Sequence, residues 1–596
     1  MGTVKFLAIA LTLFALVLAI SLSVPTVFSQ RAQGRIRGTI TGIDGKPLEG
    51  VSVSVRGQDE PYATTVFTNE QGVFVFPALS NNSKYSLWAQ AQGFQTLKTE
   101  VNIGKQLPTM QLKPLEDFSK QLTGVEWMNS FPENTPEDRR EKLIFANNCS
   151  GCHDEHFALQ NRFDSDGWSK IVTVMSRSSE GVTIDPKATG LASMNAYKDE
   201  IVAFLTKVRG PAPANYTLKP LPRPTGEATQ VVITEYDTPR PEAPAEYLVH
   251  NGSDWMEGTP SRWQGRSTHS VAVGGDGRVY FSDDRSMYAS LHELDPRTGI
   301  VTNLIFPYDQ GIVATHGIAT DSDGNVWANA AGDFLKFNVK SQQFQDYARP
   351  PDMKAGTGGT LDADRLANKG IVWATSGPGA IKIDGKTGEY SYYPNPTSKG
   401  TYGITVDRHG SAWYSSPQGD KVYIIDAATG KTSEVAFTPQ GPQDGLAVTE
   451  KDKQAYANVK VGADDANAIQ VCPRRLGADP NADVIWVALF CTDKIAKIDT
   501  QTHEVTQIAM PHKYSRPYGA QVDNEHNVWI NETNTDMIAK YNPTTQKFTE
   551  YQLPTRGTDV RNIAFDYSTG SLVVYFPYSR ENKVARLQLR RAVDLH

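Results

Sequence analysis

From about residue 229 onward the chain repeats itself, and strand-rich repeats of roughly 40 to 50 residues leave few folds other than a ring of β-blades. An aromatic residue sets the phase of each unit: Tyr280, Trp327, Trp373, Trp413, Trp486, Trp529 and Tyr575. Polar turns such as GGDGRV, DSDGNV, DRHGSA and DNEHNV precede many of them, and a hairpin such as IAKIDTQTHEVTQIAMP ends the unit. Seven units predict a seven-bladed β-propeller over 229–596. The long interval between Trp413 and Trp486 holds either an insertion that includes Cys472 or an eighth, degenerate blade. The segment VVITEYDTP at 231–239 reads like the last strand of a unit, yet it precedes the first. It is expected to complete the final blade and so remove the exposed edge of an open sheet.

A chain of 596 residues exceeds one hydrophobic core, so further domains lie upstream. Residues 1–33 carry Lys5, then an apolar run from Phe6 to about Leu22, which predicts an export signal. The apolar character extends to Phe28, so an uncleaved membrane anchor is the alternative. Either way the remainder is expected outside the cytoplasm, in the periplasm. A net charge of −7 without a basic stripe excludes a nucleic-acid partner. Residues 34–114 alternate apolar and polar in short runs (VSVSVRG, GVFVFPAL, YSLWAQA) between Gly- and Asn-rich turns, which predicts a sandwich of about seven strands. The module lacks His and Cys and has no reaction centre, so it reads as a structural or docking element. In GKPLEGV, TNEQGVFVF and AQGF it resembles carboxypeptidase regulatory-like domains.

Residues 125–210 carry the chemistry. Thr135, Pro136, Glu137 and Asp138 open a helix with a hydroxyl cap, Pro in the first turn and acids nearby. The helix runs into Cys149-Ser150-Gly151-Cys152-His153, and C-x-x-C-H is the attachment motif of c-type haem. Two thiols one helical turn apart add to the vinyl groups of one porphyrin, and the adjacent His153 reaches the iron as proximal ligand. A zinc site would need two further ligands, and a thioredoxin-like pair would need a βαβ context. The cofactor expected is one haem c.

The distal iron ligand is expected to be a thioether. Met175 lies in a W-x-x-x-V-x-x-M segment that resembles the helix following C-x-x-C-H in small cytochrome domains of periplasmic oxidoreductases. Met194 is the alternative, just before an expected helix Lys198 to Val208, where class I cytochromes c place their ligand. His156, one turn beyond His153 on the same side, is a poor distal candidate. The segment as a whole resembles the mono-haem cytochrome c family. A Pro-rich linker, 211–228, follows it.

Repeats such as HGIATDSDGNVWA and PYGAQVDNEHNVWI resemble streptogramin B lyases and related seven-bladed propellers. In that family catalytic histidines open late, adjacent blades. Here Tyr518 and Asn562 hold the matching places, and neither is a base at neutral pH. His269 and His316 open two earlier blades, where they either line a wet channel or bind a metal or substrate. Cys472 and Cys491 either form a disulfide or stay separate thiols.

The fold class expected is therefore mainly β and multidomain: a sandwich, a small all-α cytochrome c domain and a propeller. The leading function is electron transfer through the haem to a redox partner protein, with the propeller binding a substrate or partner. The alternatives are a propeller lyase or hydrolase with an accessory cytochrome, and a redox-sensing binding scaffold.

Overall fold

The computed structural model describes residues 35–590 apart from 80–83, 104–106, 151–152, 180–182, 186, 214, 239–254, 256–266, 285, 287–288, 310, 398–399 and 459–465. The expected signal segment and Cys152 lie outside the described residues.

Alternation in the first module becomes seven strands in two layers. Strands Ser52–Gly57 and Tyr85–Gln90 pair antiparallel and turn Val53, Val55, Leu87 and Ala89 into a core that also holds Phe74 and Phe76. Each buried side chain of this size contributes about 2 kcal/mol. Trp88 faces the other way, half-buried opposite Lys98 and Ser54.

Six four-stranded antiparallel sheets begin at Thr268, Ile318, Gly358, Ile404, Pro473 and Pro517. The seventh blade combines Ala564–Asp566, Val573–Tyr578 and Lys583–Leu589 with Val231–Asp237, the strand expected to close the ring. First strands neighbour one another from blade 1 to blade 6, and blade 1 touches blade 7. The eighth-blade alternative is overturned: the long interval holds an insertion, with the helix Glu450–Ala457, running up to blade 5.

The repeated turn has a physical purpose. In DSDGNVW, Asp321 accepts the backbone N–H groups of Asp323 and Asn325 and, at 2.9 Å, the indole N–H of Trp327. Asp407 does the same for Trp413, and Asp523 for Trp529. One carboxylate thereby fixes both the turn and the aromatic that packs between blades.

The closing strand has a second neighbour. Val231–Asp237 pairs on its other side with Tyr62–Phe67 of the sandwich, so blade 7 and one sandwich layer form a single eight-stranded sheet. Nothing in the strand patterns announced this.

Between sandwich and propeller stand helices Gly124–Ser130, Pro136–Cys149, Glu155–Leu159, Ser165–Ser176 and Ala192–Arg209. Thr135 and Asp138 form a reciprocal cap at 3.1 Å, as the sequence predicts. The last helix starts six residues earlier than expected. Ala192, Ser193 and Met194 extend it without a break, so Met194 sits in its first turn rather than before it. Trp127, Phe131, Phe145 and Phe204 fill the core, with the Arg209 guanidinium 4.4 Å from the Trp127 ring centre. The Pro-rich segment after it is a packed strap: Tyr216, Leu218 and Leu221 lie on this core, and Arg223 donates to the Glu49 carbonyl.

Candidate functional site

The helical unit is seated on the face of the ring where the first strands begin. Asn147 and Asn148, immediately before Cys149, donate to the carbonyls of Asn467 (2.9 Å) and Ala466 (3.2 Å) in the blade 5 insertion. Asn147 also accepts from Arg516 at 2.8 Å, and Asn534 donates to Glu155 at 3.1 Å. The stretch from His153 to His156 thus meets the propeller mouth beside Arg556 and Arg580.

Cys149 is the last residue of its helix and is half-buried. Electrostatically it lies within reach of Arg516. The His153 ring places Nδ1 3.1 Å from the Asp154 carbonyl. Donation there leaves the lone pair on Nε2. Desolvation, which the Asp154 contact opposes and Arg580 reinforces, drives His153 down to about 4 and keeps the imidazole neutral. Burial pushes Asp154 up, with Asp536 adding to it, and lifts Glu155 to about 7. Asp154 Oδ2, Glu155 Oε1, His156 Nε2 and Arg516 Nε are buried without a hydrogen-bond partner among the described residues. A donor set of thiol and neutral imidazole with unsatisfied polar atoms beside it fits a covalent haem with charged substituents.

The two thioethers differ in setting. Met194 is buried in the helical core, whereas Met175 is half-buried on Ser165–Ser176. Ser193, beside Met194, bonds Asn148 at 2.6 Å and sets that helix start against the turn leading to Cys149.

Inside the mouth, guanidinium groups stack on aromatic rings. Arg474 lies 4.4 Å from the Phe490 centre and 4.5 Å from that of Tyr518, and Arg516 also packs on Phe490, at 4.2 Å. Arg475 touches Ser270 and His269 at 3.3 Å. His269 and His316 are side by side, ring centres 3.8 Å apart. A continuous packed series therefore runs from Arg516 through Phe490, Arg474, Tyr518 and Arg475 to the histidine pair. Tyr518 hydrogen-bonds Tyr402, and burial raises its pKa far above neutrality. Asn562 accepts from Val271 N–H at 3.0 Å. Both residues brace the ring and neither is a base.

From the opposite side, a central cavity of about 410 Å³, lined by the first strands, reaches Ser270, Gly317 and Arg475, the chain neighbours and hydrogen-bond partner of the histidine pair. The structure also gathers Asp284, from the turn after Val279–Asp283, with His269 and His316: ligand-capable atoms of the three lie within 4.8 Å of one another. No motif marked Asp284 or the arginines in advance, because their proximity arises from neighbouring blades rather than from spacing.

Cys472 and Cys491 form a disulfide with Cα atoms 5.3 Å apart. It ties the end of the insertion to blade 5, next to Phe490 and Tyr518 and close to the Ala466 and Asn467 carbonyls that receive the helical unit. Closing a loop between residues 19 apart in sequence limits the unfolded chain. Replacing both cysteines by alanine is expected to cost about 3 kcal/mol. Denaturant titration of the oxidised proteins measures it, and an unchanged midpoint would refute it.

Residues 35–112 match the carboxypeptidase regulatory-like domain family. No curated protein matches this chain. Among solved structures, a streptogramin B lyase is 20% identical, over 55% of this chain and 95% of its own, with a TM-score of 0.43. Virginiamycin B lyase from Staphylococcus aureus is 19% identical, over 55% and 96%, with a TM-score of 0.42.

Proposed function

We propose that the chain is an exported mono-haem c-type cytochrome. Cys149 and Cys152 hold the haem, His153 is the proximal iron ligand, and electrons pass between it and a redox partner protein or a small molecule at the propeller. The observation that carries this reading is that Cys149, at the end of a capped helix, and the stretch from His153 are both held at the mouth of the ring through Asn147 and Glu155. The haem supplies one-electron chemistry. The Asp154 carbonyl fixes the His153 ring, Asn147 and Asn148 hold the turn against the insertion, and Arg474, Arg475 and Arg516 supply positive charge. A disulfide beside the same mouth supports an oxidising compartment, where c-type haem is attached. A reduced pyridine-haemochrome spectrum with one haem per chain tests the reading, and a spectrum without haem rejects it.

Burial of Met194 and the Ser193–Asn148 bond support Met194 over Met175 as the distal ligand. Met194→Leu is expected to abolish the thioether-to-iron absorption band of the oxidised protein and lower the potential, while Met175→Leu keeps the band. Loss in the Met175 variant alone reverses the assignment, and retention in both removes thioether ligation.

A further inference from the structure

We infer that His269, Asp284 and His316 form a second metal centre, for a divalent first-row transition ion, behind Ser270, Gly317 and Arg475 of the propeller cavity wall. It involves none of the haem residues. Two imidazoles and one carboxylate make a nitrogen and oxygen donor set suited to zinc or ferrous iron. Their ligand-capable atoms already lie within 4.8 Å of one another. Tetrahedral ligands about 2.1 Å from zinc are ~3.4 Å apart, so side-chain rotation of little more than an ångström closes the shell.

The surrounding bonds orient both rings. His316 Nδ1 is 2.6 Å from the Gly359 carbonyl, an acceptor only, so this nitrogen carries the proton and Nε2 presents its lone pair. Nδ1 of His269 is 3.2 Å from the Ser270 hydroxyl and 3.3 Å from Arg475, a guanidinium that can only donate, so Nδ1 accepts there and the neutral ring carries its proton on Nε2. A cation binding at Nε2 displaces that proton, and Nδ1–H then has the Ser270 hydroxyl as its acceptor. Backbone holds the pair in place: His269 belongs to the first strand of blade 1, and the His316 carbonyl accepts from Ser282 at 2.7 Å.

Arg475 bears on the choice of ligand. Its positive charge disfavours a bare cation, and Asp284 offsets only one charge. The arrangement favours an ion whose remaining position takes an anion, either hydroxide or the carboxylate of a small molecule arriving through the cavity. Three protein ligands with one open position is the pattern of a reactive rather than a structural site.

The test uses the full chain, stripped with chelator and dialysed against zinc, with zinc per polypeptide measured by elemental analysis. Zinc is counted separately from iron, so failure here and failure of the haem reading are distinguishable. One zinc per chain is expected, with affinity falling more than about 10-fold in His269→Ala and in His316→Ala. Asp284→Asn, a near-isosteric change in a half-buried turn, should weaken binding likewise without disturbing the fold. His409→Ala, an exposed histidine, should leave binding unchanged. Zinc absent from the native chain, or held equally by the Asp284→Asn and His316→Ala variants, overturns the centre.

Discussion

Replacing Cys149 and Cys152 together with alanine is expected to remove covalent haem entirely. A thioether link needs a thiol, and Cys149 offers one at the end of its helix. His153 alone can hold iron only by coordination, which denaturing electrophoresis breaks. The helical core should survive, because it is built on buried Trp127, Phe145, Phe204 and Tyr197, with Cys149 only partly buried against it. Peroxidase staining after denaturing electrophoresis, alongside circular dichroism, separates loss of haem from loss of fold. Full covalent staining in the double variant would refute the haem assignment.

The second large effect is expected at the joint between helical unit and propeller. Asp452, fully buried in the insertion, accepts from Arg140 Nε at 2.7 Å and Nη2 at 2.9 Å, and from the Tyr197 hydroxyl at 2.9 Å. Arg140→Ala leaves that carboxylate buried without its counter-charge, a change worth about 3–5 kcal/mol. Thr449 and Tyr197 remain as hydrogen-bond donors, so the loss should fall toward the lower value. Burial works to raise the Asp452 pKa, yet the hydrogen bonds from Arg140, Thr449 and Tyr197 prevail and hold it below its ordinary value. A depressed carboxylate stabilises the fold above its unfolded pKa. The contribution is full above about pH 4 and fades as pH falls through the folded value. Denaturant unfolding at neutral pH should show the deficit, and the gap between native and variant should narrow in acid. A native midpoint in Arg140→Ala would show that the docking rests elsewhere.

What could be read beforehand was local. The Asp-to-Trp spacing of DSDGNVW, DRHGSAW and DNEHNVW encodes turn, indole partner and blade phase within seven residues, so the ring was legible. The Thr135 cap and the two cysteines of C-x-x-C-H are equally local. Pairings between distant segments left no such trace. Asp284 belongs to an ordinary turn, and only the curvature of the ring carries it to His316. Arg516 follows a hairpin like many others, and its place beside Cys149 depends on how the helical unit docks. The Pro-rich strap looked like a free connector, because its apolar residues are too sparse to show a period.

The eight-stranded sheet shared by sandwich and blade 7 also bears on how the molecule is made. Synthesis delivers the sandwich first, then Val231–Asp237, and only at the end the strands Val573–Tyr578 and Lys583–Leu589. Until those arrive, the closing strand has one partner, Tyr62–Phe67, already in register from Tyr62 opposite Tyr236 to Val66 opposite Val232. The N-terminal module is thus a template that holds one half of the clasp in position while the rest of the circle is laid down. Such a long-range junction is slow to form from a disordered chain, since loop closure must precede any gain from pairing. A pre-positioned strand shortens that search. It also shields a backbone edge that a nascent ring would otherwise offer to neighbouring chains.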